Sequence, residues 1–229
     1  MKSTQKPDEP LIPLSIAVVL VPTLCLGDMV LDQSLTSGTI QGTLGAPDNA
    51  QTFTVGLDGT LSAVHVQLTR IGSKDLVFDV RNTVGGAPTE DDSGLNVLAT
   101  RTISYGDLLS GEPTWVELDL SPEGISVQAG DVLAIVLRVP DSPEYPTYFW
   151  LCQQSGDLYS DGQRWTRSAT WNVGVIGSTW NGTYSSNAVS DMNFRTFVTP
   201  VPLPGAALLG LLGVSYSGLR LRRGRDFGA

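Results

Sequence analysis

The stretch QTFTVGLDGTLSAVHVQLTR, residues 51–70, places Phe53 and Val55 two positions apart, then a turn-forming LDGT, then Leu61, Val64, Val66 and Leu68 at mostly alternate positions. Side chains of a strand point alternately to its two faces, so this period of two describes strands with one face against a core. A helix would instead need apolar residues three and four apart. Asp58-Gly59 between the two runs predicts a β-hairpin.

The same pattern recurs in both directions along the chain. DLVFDVRNT (75–83) sets Leu76, Phe78 and Val80 on one face; NVLATRTIS (96–104) and TWVELDL (114–120) follow, the latter with Trp115 or Val116 facing the core. GISVQAGDVLAIVLRVP (124–140) holds a tight QAGD turn and then an apolar run from Val132 to Val139 too continuous to alternate, which predicts a central strand buried on both faces. TYFWLCQQ, GQRWTR and SDMNFRTFV bring the expected number of strands to nine or ten. The segment RNTVGGAPTEDDSGLNVLAT (81–100) predicts a long, solvent-facing loop between two of them. With 25 glycines and 14 prolines, no heptads and no repeat of 20–50 residues, the expected fold is all-β, a sandwich of jelly-roll type.

Both ends of the 229-residue chain differ from this pattern. LIPLSIAVVLVPTLCLG (11–27) has the length, position and small terminal glycine of a secretory leader, so residues 1–27 are expected to form a signal helix and residues 28–199 the exported domain. Residues 28–199 carry 20 acidic and 8 basic side chains, a net charge of −12. That excess repels phosphate and argues against a nucleic-acid partner. Of the two cysteines, Cys25 lies in the leader, and Cys152 alone can form no intramolecular disulfide; it reads as a small buried residue. Leu203 to Leu219 gives an apolar run just long enough, at about 1.5 Å per helical residue, for a minimal transmembrane helix. Arg220, Arg222, Arg223 and Arg225 abut it and act as a cytoplasmic stop under the positive-inside rule.

This terminal arrangement, VPLPGAALLGLLGVSYSGLRLRRGR (201–225), resembles the PEP-CTERM sorting signal of exosortase-bearing bacteria, with Val201, Pro202, Leu203, Pro204, Gly205 and Ala206 as the motif and residues 200–229 as the signal. The resemblance implies processing by an exosortase-type enzyme, transient anchoring in the inner membrane, and delivery to the cell surface or extracellular matrix. Leu203 stands where the commoner motif has glutamate. The phrases QTFTVGLDGTLSAVHVQL, DLVFDVRNTVGGAPTEDD, TWVELDLSPEGISVQAGDVLAIVLR, DGQRW and DMNFRTFV, in that order over residues 40–198, are similar to exported bacterial choice-of-anchor domains. That second resemblance implies an adhesive or carbohydrate-binding β-sandwich, with no catalytic residues to carry over.

Candidate sites follow from residue chemistry. Trp171, Trp180 and Tyr184 lie in polar Gly/Ser/Asn-rich sequence and could offer flat aromatic faces for stacking on sugar rings of an extracellular polysaccharide. Glu90, Asp91 and Asp92 supply the oxygen ligands that a structural Ca2+ requires, though without EF-hand spacing. His65, the sole histidine, sits within a strand, and neither a nucleophile elbow nor a phosphate-binding glycine loop occurs. A non-enzymatic structural or carbohydrate-binding role is therefore expected; the alternative is a secreted polysaccharide hydrolase using carboxylates such as Glu117 or Asp119 on a sheet face.

Overall fold

The computed structural model describes residues 28–44, 47–90, 94–140, 147–153, 158–168 and 191–201. They belong to a compact unit, Gly27–Val201, of antiparallel strands with two short 3-10 turns. The expected signal and transmembrane helices lie outside the described residues; among the described residues no helix is long and apolar enough to cross a membrane.

Two sheets enclose one core. The eight-stranded sheet contains β1 (Val30–Leu35), β2 (Ile40–Leu44), β4 (Gly59–Arg70), β8 (Thr114–Asp119), β9 (Ile125–Val127), β11 (Tyr148–Gln153), β13 (Asp191–Met192) and β14 (Phe194–Pro200). The six-stranded sheet contains β3 (Pro47–Thr54), β5 (Leu76–Val84), β6 (Ala87–Pro88), β7 (Val97–Ile103), β10 (Val132–Arg138) and β12 (Arg164–Ser168). The expectation of nine or ten strands falls short because β1, β2, β6, β9 and β13 are too short or too polar to declare a period. Leu61, Val64, Val66, Leu68, Trp150 and Phe194 from one sheet meet Phe53, Phe78, Val80, Leu133, Ile135 and Leu137 from the other. Phe53 and Phe194 touch across the interface, ring centroids 6.0 Å apart. Each such buried side chain contributes about 1.5–3 kcal/mol.

The expected 51–70 hairpin does not form: β3 and β4 enter different sheets, β3 pairing with β10 and β12, and β4 with β8, β9, β11 and β14. The polar groups of the intervening turn bond to another loop instead of to each other. Val55 N–H donates to the Asp131 carbonyl (2.8 Å), Gly130 N–H to the Val55 carbonyl (2.8 Å) and Ala129 N–H to Asp58 Oδ1 (2.8 Å). The QAGD turn, with Gly130 at φ 98°, likewise carries the chain from β9 in one sheet to β10 in the other. Two arches thus stack side by side at one end of the domain. Gly59 serves close approach here: a Cβ would lie 2.3 Å from the Thr199 carbonyl oxygen.

In the second half of the domain the central strand is where its sequence puts it. β10 runs between β3 and β5, and Leu133 through Leu137 are all buried. The expected long loop at 81–100 is shorter than anticipated, because Gly85 and Gly86, at φ 60° and 82°, form a two-residue turn that folds β6 back onto β5. Cys152 is buried, and burial pushes its thiol above the usual range.

Candidate functional site: a strip of flat side chains on the eight-stranded sheet

Strands β8, β4, β14 and β1 are neighbours, and residues opposite one another share a face. Glu117 on β8 and Arg195 on β14 both pair with His65 on β4; Phe197 pairs with Ala63 on β4 and with Leu31 on β1. Alternation turns all of these away from the core that Val64, Val66 and Phe194 fill. The ambiguity at residues 115 and 116 resolves in the same way: Val116 packs against the core, and Trp115 is half-buried on the outer face beside Gln67.

Contacts join these residues into a continuous strip. The Arg195 guanidinium lies 4.2 Å from the Trp115 ring centroid, reaching diagonally across β4. The His65 ring stacks at 4.5 Å on Phe197, tilted by 42°. His65 Nδ1 stands 3.9 Å from Glu117 Oε1, too far for a hydrogen bond, and has no hydrogen-bond partner. Burial holds the imidazole below its ordinary value, the Glu117 charge opposing and the Arg195 charge assisting that shift, so the ring is neutral at pH 7. The Glu117 side chain is 74% exposed. Beneath the strip, Asn193 Nδ2 donates to Gln67 Oε1 (2.8 Å) and to the Gly38 carbonyl (2.8 Å), fixing Gln67 beside Trp115.

The chemistry available is that of recognition. An exposed carboxylate accepts, a guanidinium donates, and the indole and phenyl rings offer apolar faces, a combination that suits the mixed C–H and O–H surface of a sugar. Acid–base work finds less support. Asp119, two residues from Glu117 on the same face, accepts from the Ser121 hydroxyl and from Ser121 N–H (2.9 Å). These bonds hold its carboxyl below the usual range, the opposite of what a general acid needs.

The residues singled out from sequence fare differently. Trp171, Trp180, Tyr184, Asp91, Asp92, the motif residues 202–206 and Arg220, Arg222, Arg223 and Arg225 lie outside the described residues. Glu90 is exposed, and among the described residues no three His, Cys, Asp or Glu side chains are grouped to hold a metal ion. Val201 is 66% exposed where the last strand ends. Among the other late aromatics, Trp150 is fully buried with its indole N–H donating to the Asn193 carbonyl (2.8 Å), and Tyr159 packs edge-on against Phe194. Sequence reasoning missed Arg195 and Phe197, whose only signal was their alternation with Phe194 and Thr196.

No family model matches the chain, and no curated protein or solved structure is similar to it.

Proposed function

We propose that this chain is an exported β-sandwich of jelly-roll type, without catalytic activity, that binds polysaccharide at the cell surface or in the extracellular matrix. Repeated crossing of the chain between two antiparallel sheets supports the jelly-roll reading. The apolar leader, the acidic centre and the VPLPGA motif followed by an apolar run and arginines support export, transient anchoring in the inner membrane and processing by an exosortase-type partner. A structural Ca2+ at Glu90, Asp91 and Asp92 belongs to the same proposal.

The observation that carries the binding role is the strip formed by Trp115, Arg195, His65, Phe197 and Glu117 on the outer face of the eight-stranded sheet. The test is a glycan-array screen of the full chain, with and without calcium, beside Trp115→Ala and a Trp171→Ala, Trp180→Ala double variant. Loss of signal in Trp115→Ala, with the fold verified by circular dichroism, places the glycan on the sheet face. Loss in the double variant alone moves the site to the late aromatics. Silence across the array leaves a purely structural matrix protein.

A further inference from the structure

A cleft of about 620 Å³ opens at one end of the sandwich, between β9 of the eight-stranded sheet and β5 and β10 of the six-stranded sheet. The cleft uses none of the side chains of the aromatic strip. The Gly85-Gly86 turn builds one wall: it returns the chain so that Thr89 N–H donates to the Asn82 carbonyl (3.0 Å). The opposite wall is Glu123, whose Oε1 pairs with Arg101.

Two polar atoms in this lining are unsatisfied. Thr89 is only 6% exposed and its Oγ1 has no partner; Glu123 Oε2 is buried and has none either. A carboxylate oxygen can only accept, so the missing partner of Glu123 carries an O–H or N–H, whereas the threonine hydroxyl can serve in either direction. Arg101 already neutralises Glu123, which leaves this wall little net pull on an ion. Asn82, Asn96, Ser126 and Asp131, whose Oδ2 accepts from Gln128 N–H (2.8 Å), add further hydrogen-bonding groups to the lining, and Leu98, Ile125 and Leu133 give it an apolar patch. We propose that the cleft binds a single neutral sugar residue, with hydroxyls on Thr89 and Glu123 and a C–H face on the aliphatic side chains. Its volume falls within the roughly 300–1,000 Å³ of small-molecule sites.

The experiment is hydrogen exchange by mass spectrometry on the full chain, titrated with glucose, galactose, mannose and N-acetylglucosamine, and with a linear oligosaccharide of any sugar that responds. The expected result is slowed exchange in segments 82–90 and 121–133 with at least one sugar. Protection by both monosaccharide and oligosaccharide assigns the end of a glycan chain, and protection by the monosaccharide alone a free sugar. Thr89→Val, which keeps the shape and removes the hydroxyl, weakens the binding roughly tenfold; Trp115→Ala leaves it unchanged, so this site and the sheet face fail separately. Exchange in both segments unaltered by every sugar at saturating concentration, or Thr89→Val binding as tightly as the parent, overturns the inference.

Discussion

The outer faces of the two sheets are built from similar sequence patterns and reach opposite ends. On the eight-stranded sheet the residues alternating with the core are Trp115, Glu117 and Arg195, half-buried or exposed and in contact through flat surfaces. On the six-stranded sheet the equivalent positions hold Asp79 and Arg81, both at 0% exposure, with Ala50, Ala134 and Val136 equally buried. Asp79 Oδ2 accepts from Arg81 (2.8 Å) and Arg138 (3.1 Å), and Oδ1 accepts from the Thr100 hydroxyl (2.8 Å). Alternation therefore says which side chains leave the core, and says nothing about whether they meet water. On the six-stranded sheet the charges are paired and buried; on the eight-stranded sheet Glu117 is exposed and Arg195 rests on the Trp115 ring.

That contrast can be broken most forcefully at Asp79. Asp79→Ala leaves Arg81 buried without its carboxylate and should cost about 3–5 kcal/mol in urea unfolding, whereas Glu117→Ala on the other face should stay within about 0.5 kcal/mol. Burial would raise the Asp79 carboxyl, but the Arg81 hydrogen bond and the Arg138 and Arg81 charges outweigh it and hold it below its ordinary 3.8. A depressed carboxylate stabilises the fold fully above the unfolded value and loses that contribution as pH falls through the folded one. The parent should therefore lose more stability below about pH 4 than Asp79→Asn does.

A tryptophan pair sharpens the comparison within one sheet. Trp150→Ala empties a fully buried site and should cost about 3–5 kcal/mol, measured by thermal or urea unfolding. Trp115→Ala removes a half-exposed ring and an arginine stacking contact, worth about 1 kcal/mol or less.

His65 gives a smaller effect. Its folded value is below 6.5, so the unfolded chain takes up a proton first as pH falls, and stability declines from about pH 6.5 downward. His65→Gln should flatten that slope by less than about 1 kcal/mol between pH 7 and 5 in urea midpoints.

Much of the architecture was legible because its cause is local. The apolar run Val132–Leu137 is too continuous for a strand covered on one face only, and it forms β10. Asp58-Gly59 misled because turn chemistry reports that the chain reverses or bends, not which sheet it enters; the hydrogen-bond partners that turned it into an arch belong to residues 129–131. Gly59 was read as a turn residue, and its requirement is the Thr199 carbonyl passing beside it, 140 residues away in sequence. The strip was illegible for the same reason. Trp115 and Arg195 meet diagonally over a third strand, and neither neighbourhood in sequence hints at the other. Thr89, expected in a solvent-facing loop, is buried because the glycine pair ahead of it closes a hairpin.

The central claim is that the outer face of the eight-stranded sheet is for recognition and that of the six-stranded sheet for stability. Its most direct test is affinity electrophoresis of the full chain and Trp115→Ala through gels carrying a polysaccharide selected by the array, with unfolding measured on the same two proteins. The account predicts that Trp115→Ala keeps its unfolding midpoint within about 1 kcal/mol and loses roughly tenfold in apparent affinity. Retardation equal to the parent's, from a variant that is folded, would contradict it.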